Sequence, residues 1–388
     1  MSGIHAQQAD SAMPRNSNPY KVLVVDDSAV IRGLISRWLE QDPEIKVVSS
    51  AGNGLMAIRQ LQRTPADVVV LDIEMPEMDG ITALPKLLEI DPKLKVVMAS
   101  TLTRRNAEIS LRALEAGASD YVPKPSSTRE LQQADVFRRE LVEKVKALGA
   151  ARRLQVNSGA SAPLRAPRKA AAAVAPARQG LYGNQAIALR KFPALPPKVL
   201  AIGSSTGGPQ ALFEVFGALR GKLKLPVFVT QHMPATFTAI LSEHIAKILG
   251  TDCHEAVDGE PVEAGKVYVA PGDWHMTVAE KGGRQVIALN QNPPENFCRP
   301  SVDPMLRSLV SAYGGRVLTV ILTGMGHDGL EGSRAVTEAG GCVIAQDEAS
   351  SVVWGMPGAV ASGGLCSAVL PLKEVGPMVE KIMMGAAR

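Results

Sequence analysis

Short apolar runs alternate with helix-like segments along most of this chain, and that alternation restricts its fold more than any other feature. In the first third, five runs rich in β-branched residues each precede a segment with helical periodicity. The predicted strands span 21–25, 45–50, 68–71, 95–99 and 120–122, and the predicted helices span 30–40, 55–62, 82–90, 107–116 and 129–148. Strict alternation of this kind predicts right-handed βαβ units around a parallel sheet.

The same pattern resumes near residue 198. The predicted helices there span 210–219, 237–249, 302–312, 329–338 and 372–384. Segments 275–279 and 285–289, separated by a Lys-Gly-Gly turn, predict an antiparallel hairpin. We therefore expect an α/β protein. Its first unit would be flavodoxin-like, with five βα repeats, and its second would be a Rossmann-like, doubly wound and mainly parallel sheet that carries a hairpin.

A basic segment separates the two halves. Residues 149–198 contain nine Lys or Arg and no Asp or Glu, and removing these nine positive charges from the formal net charge of +4 leaves −5 for the rest of the chain. The segment is rich in Ala and Pro, which is typical of a flexible linker. Its arginines would either be solvated or contact an acidic partner or anionic lipid. We predict a disordered tail at 1–19, a first domain at 20–148, a linker at 149–197 and a second domain at 198–386.

The overall composition, 46% hydrophobic and 21% charged, is that of a globular protein. No apolar stretch approaches the roughly 20 residues that a membrane span needs, and residues 1–19 lack the apolar segment of a secretory signal. Four cysteines (Cys253, Cys298, Cys342 and Cys366) form no C-x-x-C pair, so reduced thiols are expected rather than disulfides. We expect a cytoplasmic protein that does not insert into a membrane and, since its basicity belongs to one segment, does not bind nucleic acid.

Acidic and basic side chains follow the predicted strands of the first half. Asp26 and Asp27 come after the first strand and Asp72 after the third, and these strand ends are neighbours in a doubly wound sheet. Clustered carboxylates repel one another unless a cation lies among them, and hard oxygen ligands suit Mg²⁺. Ser100 follows the fourth strand and Lys124 the fifth. Capping of the next helix would explain one aspartate beside it, but it does not explain the whole set.

A glycine-rich turn with a central serine follows the first apolar run of the second half. Residues 199–202 lead into Gly203-Ser204-Ser205-Thr206-Gly207. This is a G-x-S-x-G pattern, in which a strand-to-helix turn exposes the hydroxyl of Ser205. Taken alone, the pattern also fits a loop that cradles a phosphate at the start of a helix.

Two further apolar runs end at a histidine and an aspartate. The second run ends at His232, and the third ends at a loop that contains Asp328. Since ligands bind beyond the carboxyl ends of parallel strands, a nucleophile (Ser205), a base (His232) and a carboxylate that orients the base (Asp328) predict acyl transfer. His327 is a rival base. Met325, between two glycines, is the candidate to donate its backbone N–H to an oxyanion.

Residues 20–148 resemble the receiver domain of two-component response regulators. The motifs that carry the resemblance are Val24-Val25-Asp26-Asp27-Ser28, Leu71-Asp72-Ile73-Glu74-Met75-Pro76-Glu77-Met78-Asp79-Gly80 and Tyr121-Val122-Pro123-Lys124-Pro125. The resemblance implies that a histidine kinase phosphorylates Asp72 and that Asp26 and Asp27, with Asp72, hold Mg²⁺. It also suggests a cis bond before Pro125. The residues that would relay the switch are Ser100, Tyr121 and Lys124.

The chain as a whole, over residues 20–385, resembles the chemotaxis protein-glutamate methylesterases (CheB-type), in which a receiver is fused to an esterase domain. The motifs that carry the resemblance are Ala201-Ile202-Gly203-Ser204-Ser205-Thr206-Gly207-Gly208, Gln231-His232-Met233, Ala270-Pro271-Gly272-Asp273-Trp274-His275-Met276, Arg299-Pro300-Ser301-Val302-Asp303 and Leu322-Thr323-Gly324-Met325-Gly326-His327-Asp328-Gly329. The resemblance implies a triad of Ser205, His232 and Asp328 that needs no cofactor.

The same resemblance implies what the enzyme acts on. Its substrates would be γ-glutamyl methyl esters on methyl-accepting chemoreceptors, which release methanol, and receptor glutamines, which are deamidated, both in chemotactic adaptation. A chemotaxis histidine kinase would donate the phosphoryl group, and the monomeric enzyme would be recruited to membrane receptor arrays. Candidate residues of the substrate cleft are Thr206, His275, Arg299 and Ser301, with plain loop structure as the alternative for the last three.

We also expect the unphosphorylated receiver to pack over the esterase crevice, and phosphorylation of Asp72 to loosen it, since a phosphate adds about two negative charges. Three other functions remain possible on sequence grounds. They are a receiver-regulated esterase for small molecules, a non-catalytic nucleotide-binding module and a DNA-binding regulator. The last would need a basic recognition helix in the second domain, and we find none there.

Overall fold

The computed structural model describes residues 18–101, 103–124, 131–159 and 187–385, with side chains at 131–136 and 157–159 excepted. Most of the predicted tail, most of the predicted linker and the peptide bond before Pro125 lie outside the described residues. Among the helices described, none is both long enough and apolar enough to cross a membrane.

The first half folds as five alternating strands and helices, as predicted. The strands are β1 (Tyr20–Val25), β2 (Ile45–Ala51), β3 (Val68–Asp72), β4 (Lys95–Thr101) and β5 (Asp120–Lys124), and the helices are α1 (Ala29–Glu40), α2 (Gly54–Arg63), α3 (Gly80–Ile90), α4 (Arg104–Glu115) and α5 (Leu131–Gly159). All strands pair in parallel in the order β2-β1-β3-β4-β5. The strand order places the ends of β1 and β3 side by side.

The second half is built on a seven-stranded parallel sheet. Its strands are β6 (Val199–Ser204), β7 (Val227–Gln231), β8 (Cys253–Glu255), β9 (Val267–Val269), β12 (Val317–Ile321), β13 (Cys342–Gln346) and β14 (Ala368–Leu370), and the predicted hairpin is formed by β10 (His275–Lys281) and β11 (Arg284–Asn290). The helices are α6 (Gly208–Ala218), α7 (Ala235–Leu249), α8 (Val302–Tyr313), α9 (Leu330–Glu338), α10 (Met356–Ser362) and α11 (Leu372–Met383). The prediction of a mainly parallel α/β sheet with an antiparallel hairpin is confirmed.

The strand order of this sheet explains where its crevice lies. The order is β14-β13-β12-β6-β7-β9-β8, so the chain leaves β6 toward β7 on one side and returns to β12 on the other. All residues of β6, β7 and β12 are buried, as expected of central parallel strands covered on both faces. A crevice forms beyond the carboxyl ends of strands where the order reverses. The loops after β6, β7 and β12 therefore border one crevice.

Helix α5 differs from the sequence prediction, and strand β13 and helix α10 were not predicted. The predicted end of helix α5 is 148, but the helix continues to Gly159. Arg152, predicted to lie in the linker, instead pairs with Asp67 at 2.5 Å and with Asp91 at 2.6 Å, and these ion pairs attach the added turns to the first domain. His254 lies in β8, which was not predicted because a strand of three residues is too short to show periodicity.

The two domains are in direct contact. The ring of Tyr121, on β5, stacks on the ring of Phe237, on α7, with 4.2 Å between ring centroids and 9° between ring planes. The Gln210 side chain, on α6, donates from Nε2 to the carbonyl oxygen of Ala118 at 2.6 Å and to that of Leu114 at 3.2 Å. Helices α6 and α7 are the helices that follow Ser205 and His232.

Candidate active site and phosphate-acceptor site

Ser204 and Ser205, at the carboxyl end of β6, have different environments. Ser204 is fully buried, and its hydroxyl donates to Gln231 Oε1 at 2.6 Å. Ser205 is half-buried and its hydroxyl contacts no hydrogen-bond partner among the described residues. Gly207 then adopts a φ of 74° to start α6, a conformation that favours glycine. Ser204 therefore belongs to the strand, and Ser205 is the serine that the turn presents to the crevice.

His232 follows β7 directly and lies at the strand end next to Ser205. Ser204 pairs with Gln231 across β6 and β7, and the backbone N–H of His232 donates to the Ser204 carbonyl oxygen at 3.2 Å. The imidazole Nε2 lies 2.7 Å from Asp328 Oδ2, and Nδ1 lies 3.3 Å from the sulfur of Cys298. Since an ionised carboxylate only accepts hydrogen bonds, Nε2 carries the hydrogen and Nδ1 is the nitrogen that can take a proton.

Asp328 is almost completely buried, at 2% exposure, and several donors surround it. Its carboxylate accepts a hydrogen bond from Ser301 Oγ at 2.7 Å, from the Val302 N–H at 2.7 Å and from Asn296 Nδ2 at 2.9 Å. The first two come from the start of α8, where the helix dipole favours negative charge. Burial raises the pKa of Asp328, but the hydrogen bond and charge of His232, with these donors, lower it well below its ordinary value. The Asp328 carboxylate is therefore negatively charged, and its hydrogen bonds hold it in position.

The pKa of His232 is raised to about 10. Burial lowers it, and the charge of Cys298, the hydrogen bond to Asp328 and the hydrogen bond to Cys298 more than offset that effect. A ring that holds its proton at neutral pH cannot accept one from a serine. His232 would therefore act as a base only when its contact with Cys298 is weakened.

Sequence reasoning missed three residues around this pair. Cys298 contacts the free nitrogen of His232, and Asn296 donates to both Asp328 and Asp303, each at 2.9 Å. Burial and the nearby charge of Asp328 raise the pKa of Asp303 to about 6. Asp303 stands in the quoted Arg-Pro-Ser-Val-Asp motif, so a signal existed for it. Asn296 and Cys298 lie in a loop without periodicity and offered none.

Gly324 brings the backbone before Met325 close to Ser205. A Cβ atom added to Gly324 would lie 2.9 Å from Ser205 Cβ, so only glycine fits there without a shift. Among the described residues, no acceptor takes a hydrogen bond from the Met325 N–H. The Met325 N–H, which is the predicted oxyanion donor, is thus unpaired, and it follows Gly324, the residue that packs against Ser205. Thr206 is 2% exposed, and its buried hydroxyl also has no partner in the described part of the chain.

The remaining cleft candidates separate into two groups. Ser301 contacts Asp328, and its backbone N–H donates to His275 Nδ1 at 3.2 Å, so His275 supports the residue that holds the carboxylate. Arg299 turns away to Asp273, with 2.5 Å between Nη2 and Oδ1, and donates to two carbonyl oxygens of its own loop. His327, the rival base, is exposed, whereas its neighbour Asp328 is buried.

The first domain brings its acidic residues together. Carboxylate oxygens of Asp26, Asp27 and Asp72 all lie within 4.8 Å of one another. Lys124 Nζ lies 2.5 Å from Asp26 Oδ2 and 2.7 Å from Asp72 Oδ1. Burial raises the pKa of Asp72, and the Lys124 charge opposes that effect. Gly80 allows this packing, since a Cβ there would lie 2.0 Å from the Asp72 carbonyl oxygen.

Ser100 and Tyr121 make contacts with residues outside this cluster. The Ser100 hydroxyl is hydrogen-bonded to that of Ser110 at 3.1 Å. Tyr121 is buried against the second domain, and burial raises its pKa well above the ordinary value. Tyr121 therefore lies at the interface between the two domains.

The comparisons with known proteins agree with this division. The response regulator receiver domain matches residues 22–135, and CheB methylesterase matches residues 200–379. A protein-glutamate methylesterase/protein-glutamine glutaminase of group 2 operon from Rhodospirillum centenum is 60% identical over 373 residues, which is 94% of each chain. This chain belongs to the CheB methylesterase family.

Another member of the family is similar over a comparable length. A protein-glutamate methylesterase/protein-glutamine glutaminase from Azospirillum brasilense is 58% identical over 377 residues, covering 95% of this chain and 94% of the relative. Among solved structures, the CheB methylesterase catalytic domain of Thermotoga maritima is 37% identical, with a TM-score of 0.47, and covers 48% of this chain and 100% of that one.

Proposed function

We propose that this protein is a phosphorylation-activated methylesterase and glutaminase that hydrolyses γ-glutamyl methyl esters and glutamine amides on chemoreceptors, as the names of its relatives indicate for them. The observation that carries the proposal is the bond between His232 Nε2 and Asp328 Oδ2, 2.7 Å long, at the strand end beside Ser205. A buried anion that fixes one nitrogen of a histidine leaves the other as a base for a neighbouring hydroxyl.

The first half of the reaction forms an acyl-enzyme. Ser205 Oγ attacks the side-chain carbonyl carbon while His232 Nδ1 takes the hydroxyl proton, and Asp328 stabilises the resulting imidazolium. The Met325 N–H stabilises the oxyanion of the tetrahedral intermediate. The intermediate collapses when the imidazolium returns the proton to the leaving group, which departs as methanol from an ester or as ammonia from an amide.

The second half regenerates the enzyme. Water attacks the acyl carbon, gives a proton to His232 Nδ1 and forms a second tetrahedral intermediate at the same oxyanion site. Collapse releases the glutamate side chain, and the proton returns to Ser205. Because an ester and an amide share the same acyl-enzyme, a single site can perform demethylation and deamidation.

The acidic cluster would control this site by accepting a phosphoryl group from a chemotaxis histidine kinase. Asp72 is the acceptor, since it lies at the end of β3 with Lys124 against its carboxylate. Three carboxylates this close fit Mg²⁺, which would be held by Asp26, Asp27 and Asp72 and would neutralise the transferring phosphoryl oxygens. Lys124 would contact the new phosphate.

Contacts between the domains support inhibition by the resting receiver. The Arg139 guanidinium, on α5, lies 4.0 Å from the centroid of the Phe297 ring, and Phe297 is the neighbour of Cys298. Met325 and Val352 pack against a buried cluster that includes receiver residues such as Phe137. The receiver therefore lies against the loops that contain Phe297, Met325 and Val352. In this position it would obstruct the approach of a receptor helix to the crevice.

The test is release of methanol from methyl-labelled receptor membranes. Ser205→Ala should lower kcat by about 10⁶ if the three residues act as a unit. Ser204→Ala is the matched control, and its loss should be far smaller because that hydroxyl only donates to Gln231. Inactivation by Ser204→Ala and not by Ser205→Ala would refute the assignment.

The same assay distinguishes the other functions. A receiver-regulated esterase for small molecules would hydrolyse short esters and leave the membranes methylated. A nucleotide-binding module would bind phosphate compounds equally well after His232→Gln. Asp72→Asn should remove activation by a phosphodonor, so that the variant releases methanol at one rate with and without it.

A further inference from the structure

Cys298, His232 and Asp328 form a second arrangement of nucleophile, base and orienting carboxylate that uses the same imidazole as Ser205. The Cys298 sulfur lies 3.3 Å from His232 Nδ1, and His232 Nε2 lies 2.7 Å from Asp328. A nucleophile within hydrogen-bond reach of a base that a third group orients is the signature of an activated side chain.

Cys298 differs from the other three cysteines in exposure. Cys253, Cys342 and Cys366 are buried, whereas Cys298 is half-buried and follows Phe297, which is 81% exposed. Burial raises the pKa of the three buried thiols, to about 12 for Cys253 and Cys366 and to about 11 for Cys342. A reagent in solution should therefore react with Cys298, which has a base beside it, and not with the three buried thiols.

We propose that Cys298 is a covalent modification site for soft electrophiles and hydroperoxides, and that its modification switches off the esterase. The proposal rests on the proposed function, because the switch acts through His232. With an α-haloamide such as iodoacetamide, the thiol proton passes to Nδ1, sulfur forms a bond to the carbon, and iodide leaves with the electrons of the carbon–iodine bond. With hydrogen peroxide, sulfur attacks one oxygen, the O–O bond breaks, and the departing hydroxide takes the imidazolium proton, leaving a sulfenic acid and water.

Inactivation follows from the position of the sulfur. His232 Nδ1 is the nitrogen that Asp328 leaves free, and the Cys298 sulfur lies 3.3 Å from it. A group added to this sulfur would occupy the space beside Nδ1 that a serine hydroxyl must enter in the proposed reaction. Loss of a general base costs about 10²–10⁴ in rate. Fully modified enzyme should therefore lose at least about 99% of its methanol release.

The experiment follows two quantities in the full-length protein exposed to iodoacetamide at pH 7, namely residual methanol release and the labelling rate of each cysteine by peptide mass spectrometry. Cys298 should be labelled at least about tenfold faster than any other cysteine, and activity should fall at the same rate. The remaining activity of Cys298→Ala, at whatever level, should be insensitive to the reagent. Inactivation of wild type by peroxide should be reversed by dithiothreitol.

Two variants test the pairing without relying on activity. His232→Gln removes the base, so labelling of Cys298 should slow by about tenfold or more. Ser205→Ala is equally inactive as an esterase but keeps the thiol–imidazole contact, so its labelling should match that of wild type. Thermal melting of both variants confirms that they are folded. Because labelling is measured by mass spectrometry, the two variants can be compared even if neither they nor the wild type release methanol.

Three outcomes would overturn the proposal. One is labelling of Cys298 at equal rates in His232→Gln and Ser205→Ala. Another is inactivation that follows labelling of Cys253, Cys342 or Cys366. The third is full methanol release by enzyme whose Cys298 is completely alkylated.

Discussion

The ring of Tyr121 lies nearly parallel to the ring of Phe237, 4.2 Å away, and so joins a strand of the receiver to the helix that follows His232. Tyr121 lies close to Lys124 along β5, and Lys124 contacts Asp72. The contact therefore lies between the phosphate-acceptor cluster and the esterase crevice. We therefore expect a change at Asp72 that moves β5 to alter the packing of α7.

We predict that Gln210→Ala raises the activity of the unphosphorylated enzyme. Its side chain donates two hydrogen bonds to receiver carbonyl oxygens, and their loss would cost the closed state about 1–2 kcal/mol, or a five- to thirtyfold shift toward the open state. Methanol release with and without phosphodonor measures the effect. Lys222→Ala, which removes an ion pair to Glu380 within the esterase, is the control and should change neither rate. Equal stimulation of both phosphorylation states by Gln210→Ala would contradict interface release.

Ser301→Ala should lower kcat about tenfold with little change in KM. The hydroxyl donates to Asp328 Oδ1 at 2.7 Å, and its loss weakens the hold on a carboxylate that retains other donors. Ser308→Ala makes the same chemical change on the same helix, where the hydroxyl contacts Val278 instead, and should leave kcat near the wild-type value. Equal losses in the two variants would point to general damage to α8.

Cys298→Ala should move the acidic limb of the kcat/KM profile to lower pH. Cys298 and Asp328 raise the pKa of His232 to about 10 against the effect of burial, and catalysis needs the neutral ring. Removing Cys298 lowers that pKa, so the base stays neutral at lower pH. At a given pH on the acidic limb, kcat/KM of Cys298→Ala should exceed that of wild type. It should be about tenfold higher for every tenfold fall in the proton affinity of His232. Profiles of both proteins between pH 5 and 10, measured within their range of stability, provide the check, and an unmoved limb would contradict this account.

Arg152→Ala should destabilise the receiver by about 2–4 kcal/mol, because it breaks ion pairs to Asp67 and Asp91 that are largely buried. Arg152 lowers the pKa of Asp91, although burial opposes this, so the folded pKa lies below the ordinary 3.8. The stabilisation is then complete above about pH 4 and is lost as the pH falls through the folded pKa. Thermal melting at pH 7 and pH 3 measures both effects. Arg334→Ala, which removes an exposed pair to Glu331, should change neither melting curve.

The parts of the fold that sequence periodicity predicted are those in which one local pattern persists. The strands of the first domain were placed within two residues of their observed bounds, and so were five helices of the second, but α10 was not predicted. The glycine-rich turn before α6 was predicted, and Gly207 in it has a positive φ. The three-residue strands β8, β9 and β14 contain too few residues for any period to appear. Helix α5 passed its predicted end because Arg152 pairs with Asp67, 85 residues away, and no local pattern encodes that contact.

For the active site, the sequence alone determined which side chains stand at the strand ends, because a parallel sheet brings the carboxyl ends of its strands to one edge. Ser205, His232 and Asp328 were predicted on that basis, and the structure brings the last two into hydrogen-bond contact. Only the tertiary structure decided what surrounds them. The thiol of Cys298, the amide of Asn296 and the start of α8 reach His232 and Asp328 from a different part of the chain, through loops whose course depends on long-range packing rather than on local spacing.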